Sequence, residues 1–185
     1  HHQQGRLTEA EQAYLTYIQQ SSNGHPDNSA AALANLGAVY IQQGQQLKAV
    51  EYLKQAVLLN PSHVGATQNL MCAYFVLTDY PLCLQTAKQL TALASLAANK
   101  AALKEGHNFA AQSAMQLQHY DEAVEHWLAA FSTGLAAELI FEPAQSLIQL
   151  QLYDKAITLL LPIVAQLPVT PLNALLAHAY QLSSR

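Results

Sequence analysis

Charge is scarce in this sequence: Asp, Glu, Lys and Arg make up only 11% of its 185 residues. The net charge is −4 and the pI about 6.0, so there is no basic stripe to serve nucleic acid or an anionic membrane surface. Cations thin out further along the chain. Residues 1–104 carry six basic and five acidic groups, residues 105–185 two basic and seven acidic. The second half would favour a basic partner, weakly once salt screens it. Two cysteines, Cys72 and Cys83, form neither a disulfide framework nor a CxxC metal motif. Runs of valine, isoleucine and threonine that would read as strands are missing, and no apolar run reaches the roughly 18–20 residues of a membrane span. The opening HHQQGRL has no signal-peptide pattern, and a cytoplasmic protein is the expectation; either residues are missing upstream or the first histidines are not native.

Alanine, leucine and glutamine fill the space that charge leaves, a composition suited to helices packed through small side chains. The stretch 30–63, AAALANLGAVYIQQGQQLKAVEYLKQAVLLNPSH, reads as two amphipathic helices. Leu33, Leu36, Tyr40, Leu53 and Val57 give an apolar stripe at three- and four-residue spacing. Small residues (Gly37, Ala38, Ala49, Ala56) stand where the helices must approach. Gly44 supplies the turn, and Pro61 disfavours helix at Asn60.

Leu36-Gly37, Tyr40, Gly44, Ala49, Ala56 and Pro61 fall at the spacings of a tetratricopeptide repeat, with Leu33 in place of the first-helix tryptophan. The stretch resembles that family, in a bacterial-type array. The resemblance implies an all-α fold, a right-handed α-solenoid of about four antiparallel helix pairs with a terminal capping helix. Residues 1–29 read as a truncated repeat, with a helix from about Thr8 to Gln20 capped by Thr8 and Glu11, then a turn over Ser21–Ser29. Residues 64–103 read as a degenerate copy with about six extra residues in longer helices, 104–136 and 137–170 as two further copies, and 171–185 as the cap. Pro143 and Pro162 fall inside expected helices of the last copy, which predicts a kink or a late helix start there.

No catalytic residue and no metal or cofactor site is expected. Eight histidines form neither HExxH nor a His-x3-His pair. Asp121, Glu122, Glu125 and Glu138 are explained by the positive ends of helices. The resemblance instead implies binding of a protein or extended peptide on the concave face, which first helices line. Asn35 and Asn69 recur 34 residues apart, with Asn108 at or one residue from the same slot. Gln42, Gln68, Gln112, Gln116, Gln145 and Gln149 fall in neighbouring slots. A carboxamide donates and accepts at once and can grip a peptide backbone whatever its side chains. Such a row resembles the asparagine ladder of O-GlcNAc transferases. Cys72, Phe75, Met115, Phe141 and Ile148 face the same way and would either form apolar pockets or join the core. Chaperone-binding members of the family use Lys and Arg to hold a C-terminal carboxylate; here the comparable positions are Ala34, Gln68, Glu105, Asn108 and Phe109, without cations. The leading expectation is a scaffold without chemistry of its own. The alternative is the substrate-docking part of a larger enzyme of the O-GlcNAc glycosyltransferase type, and self-association through the truncated first repeat, near Tyr14 and Ile18, is a further one.

Overall fold

Six helices of the protein end in the same way. In the computed structural model, which describes residues 2–20, 26–167 and 169–184, a left-handed residue follows each of them: Gly44, Thr78, Ala98, Gln118, Gly134 and Gln151. The amide after it reaches back five residues, as in Gln45 N–H to the Tyr40 carbonyl (2.8 Å) and Leu152 N–H to the Leu147 carbonyl (2.9 Å). This Schellman geometry satisfies carbonyls that a helix end leaves open and reverses the chain within three residues. Sharp reversals fold consecutive helices back on each other, and the described residues form an all-α repeat solenoid without strands.

The helices are α1 (His2–Gln20), α2 (Pro26–Gln42), α3 (Gln46–Leu59), α4 (Val64–Val76), α5 (Tyr80–Leu96), α6 (Lys100–Gln116) and α7 (Tyr120–Ser132). A 3-10 turn (Ala137–Ile140) then leads into α8 (Phe141–Gln149), followed by α9 (Tyr153–Gln166) and α10 (Thr170–Ser183). Side chains cap several starts: Asp79 accepts from Leu82 N–H and Asn99 from Ala102 N–H. Pro81 sits inside the first turn of α5, where its missing N–H costs nothing.

Two sequence expectations are corrected here. Thr8 does not cap α1, which already runs from His2; Glu11 is committed elsewhere, accepting from Tyr40 Oη and Gln43 Nε2, each at 2.9 Å. These bonds tie α1 to the end of α2, so a tertiary contact overrides the local capping pattern. The expected turn over Ser21–Ser29 also shortens. Ser21–His25 lie outside the described residues, and Pro26–Ser29 form the first turn of α2, where proline fits. Pro143 occupies the first turn of a nine-residue α8 that starts late, behind the 3-10 turn. Pro162 stands inside α9.

Packing rests on small residues. Ala49, Ala56, Ala87, Ala94, Ala123, Ala130 and Ala156 are fully buried and let neighbouring helices approach. At Gly37 the approach is closest, since a Cβ there would lie 2.5 Å from Leu53 Cγ. One continuous core runs from Leu36 to Ala179, with Trp127 the largest side chain within it. Each pair packs on the next, and first helices also meet in a row: α2 with α4, α4 with α6, α8 with α10. Between α6 and α8 that row is nearly interrupted, although the second helices α7 and α9 keep their contact. Ion pairs Lys88–Glu122 and Lys155–Asp121 link α5 to α7 and α7 to α9 along the opposite side.

Candidate binding face

The left-handed turn residues supply a register for the first helices. Gly44, Thr78, Gln118 and Gln151 lie 34, 40 and 33 residues apart. Nine positions ahead of Gly44 and Thr78 stand Asn35 and Asn69; the same step from the other two reaches Phe109 and Glu142. Asn108 is one residue off that slot and is equivalent to Gln68. The same-slot row therefore changes along the solenoid from amide to aromatic to carboxylate. Two positions ahead of the turns the row is Gln42, Val76, Gln116 and Gln149, all exposed.

Three clefts open along the first helices. One, of about 320 Å³, lies at the gap between α6 and α8 and gathers Phe75, Asn108, Gln112, Met115 and Pro143 over Trp127. Its aromatic wall is braced by an edge-on contact between Phe75 and Phe109 with ring centres 4.9 Å apart. A second, about 490 Å³, sits between the start of α8 and α10, with Phe141, Val169, Pro171 and Leu172 as walls. A third, about 330 Å³, lies between α1 and α2 and includes Tyr14, Tyr17 and Asn35. The structure thus brings Phe75, Asn108 and Gln112 together, and puts Asn35 and Phe141 at other places. Asn69, Gln42, Gln145 and Gln149 line none of the three clefts. Ile148 is buried in the core.

Gln68 is engaged within the chain, donating to the Glu105 carboxylate. Cys72 faces the same carboxylate, Sγ to Oε1 3.8 Å, and burial together with that charge pushes its thiol up to about 12. A thiol raised in this way carries little thiolate at neutral pH. By contrast, no hydrogen bond within the described residues holds the carboxamides of Asn108 and Gln112. Beside the face, His107 on α6 and His126 on α7 share a hydrogen bond, Nδ1 to Nδ1 2.9 Å. Burial holds both imidazoles below their ordinary range. Among the described residues no group of three His, Cys, Asp or Glu side chains could hold a metal ion, and no helix is long and apolar enough to cross a membrane.

Leu139, Glu138 and Glu142 are among the lining residues that sequence reasoning did not assign to the face. Leu139 is 59% exposed and borders both the first and the second cleft. The only signal for them was Pro143, which forces the break that presents them.

The family model described as Tetratricopeptide repeat matches residues 1–57. No curated protein matches the sequence. Among solved structures, a tetratricopeptide repeat protein from Parabacteroides merdae is 18% identical, with 98% of this chain and 69% of that one covered and a TM-score of 0.68. MamA is 16% identical over 99% of this chain and 92% of its own, with a TM-score of 0.64. The N-terminal domain of stress-induced protein-1 from C. elegans is 18% identical over 64% of this chain and 94% of its own, at 0.59. These likenesses establish the fold, and the family match establishes the repeat type at its start. With its helix pairs, shared turn geometry and small-residue packing, the chain has the fold of tetratricopeptide-repeat proteins, and its first 57 residues match that family's model.

Proposed function

We propose that the protein is a non-catalytic scaffold that holds a protein or an extended peptide segment on its first-helix face. The observation that carries this reading is the cleft at the α6–α8 gap. It pairs apolar walls, Phe75 and Met115, with two carboxamides that have no hydrogen-bond partner among the described residues, Asn108 and Gln112. Each carboxamide offers a donor and an acceptor, the pair a peptide group needs, and each bond adds about 0.5–1.5 kcal/mol net. The exposed amides Asn35, Gln42, Gln145 and Gln149 extend polar contact beyond this centre.

Selection of a randomised short-peptide display library on the wild type, followed by titration of an enriched peptide against Asn108→Ala/Gln112→Ala, tests it. An enriched peptide should bind the double variant about tenfold more weakly, a loss of two modest hydrogen bonds. Helical content and melting should match the wild type. Failure to enrich any peptide, or equal binding to both proteins, would overturn the reading. A second association, between two copies, is favoured by the α1–α2 cleft, where Tyr17 is 42% exposed. Sedimentation of wild type and Tyr17→Ser across a concentration series decides it: a dimer lost in the variant supports it, a monomer throughout removes it.

A further inference from the structure

We propose that the break ahead of α8 makes the C-terminal part of the face selective for a basic segment anchored by a large apolar side chain. The proposal rests on the first-helix-face reading above and adds the partner's chemistry. Leu139 stands between the cleft at the α6–α8 gap and the one beside α10, 59% exposed, with apolar walls on both sides. An aliphatic or aromatic side chain laid against it leaves water on either side of that ridge. The charges around it have one sign. Glu142 borders both clefts and Glu138 the second, while no cation lines either one. Lys155, the only cation among the described residues from 105 onward, is paired with Asp121 on the far side of the solenoid.

The register adds an independent observation. Glu142 occupies the slot that Asn35 and Asn69 hold in the earlier repeats, so the carboxylate replaces an amide at a position facing the same way. Glu138 and Glu142 lie in the first turns of their helices, where acids are favoured in any case. That favour accounts for the sign of the charge. It does not account for a leucine left open between them, in a gap of the first-helix row. A carboxylate rim around an apolar ridge is complementary to Lys or Arg flanking Leu, Met or an aromatic residue, and it penalises acidic segments.

The same peptide selection distinguishes the two proposals. Peptides enriched on the wild type should carry Lys or Arg next to a large apolar residue. An enriched peptide, followed by fluorescence anisotropy, should bind Glu138→Gln/Glu142→Gln about tenfold more weakly and lose a similar factor in strong salt. Leu139→Ser should weaken it as well. Both glutamates and Leu139 are exposed, so these variants should keep the wild-type circular dichroism and melting. Enriched peptides that are neutral or acidic, or that ignore the glutamate pair while losing affinity to Asn108→Ala/Gln112→Ala, would overturn the basic preference and leave the first-helix face standing. No enrichment, or indifference to both pairs, would overturn both.

Discussion

The helix pairs α2–α3 and α8–α9 perform the same reversal with opposite results at the face. In the first, α2 runs unbroken for 17 residues and lies so close to α3 that Gly37 has no room for a Cβ beside Leu53. In the second, α8 has nine residues, Pro143 stands in its first turn, and a 3-10 turn takes the place of the missing helix. The slot of Gly37, seven positions ahead of the turn residue, holds Ala144 there. A complete first helix closes the row against its neighbour. A shortened one leaves the gap in which Phe75, Asn108 and Gln112 meet Leu139 and Glu142. Departure from the repeat pattern is what makes the cleft.

Gly37→Val should show the largest effect, because it breaks the closest packing. Overfilling a packed contact costs about 1–3 kcal/mol, read as a lower midpoint in urea denaturation. Exchanging turn residues comes next. Gln151→Gly should stabilise the α8–α9 pair by about 0.4–1 kcal/mol, and Gly44→Gln should destabilise the α2–α3 pair by a similar amount, since only glycine occupies left-handed backbone without strain. Thermal melts of the two variants should move in opposite directions. Pro143→Ala would let α8 begin earlier. Its effect on stability should stay within about 1 kcal/mol, because a proline in the first turn removes no helical bond. Circular dichroism should gain helical signal while peptide affinity falls, as the gap narrows.

The smallest expected effect lies between the two regions, at His107 and His126, which are half-buried. Both are held below the ordinary imidazole range by burial, with Lys88 and the partner histidine opposing the charge and Glu122 favouring it on His126. The folded state therefore takes up protons later than the unfolded chain. Above about pH 6.5 the pair has no effect on the pH dependence, and stability is lost as pH falls below that value. His107→Asn/His126→Gln should flatten this slope in melts between neutral and mildly acidic pH. A further loss at lower pH belongs to Glu11 and Glu122, whose carboxyls are held down by Gln43 and Tyr40 and by Lys88. The histidine variant should leave that second loss in place.

The fold was legible because one repeat carries nearly every signature residue at its proper spacing. Asn35 and Asn69 were legible for the same reason, separated by an unbroken period. Asn108 was not placed so well. The interval from Thr78 to Gln118 is 40 residues, and nothing in an alanine-rich stretch says how the extra six divide between α5 and α6. The turn residues that would have fixed the register are Thr78, Gln118 and Gln151, which take a glycine's conformation without being glycine. Thr8 and Glu11 form a valid local capping pattern, yet Glu11 answers to Tyr40 and Gln43, about thirty positions away. Local pattern does not report such partners. Pro143 did announce a break in the last repeat. That the break would expose Leu139 depends on how α6 and α10 stand around it, and spacing alone does not carry that.

The near-interruption between α6 and α8 has a mechanical consequence. On the opposite side α7 and α9 stay in contact and are tied by the Lys155–Asp121 ion pair. A coil joined along one edge and open along the other is most compliant about the joined edge. Changes in its curvature therefore gather at this junction, and they widen or narrow the cleft as they do so. Whatever fills the cleft acts as a wedge, stiffening the coil at its softest joint and fixing the angle at which the two ends of the array point.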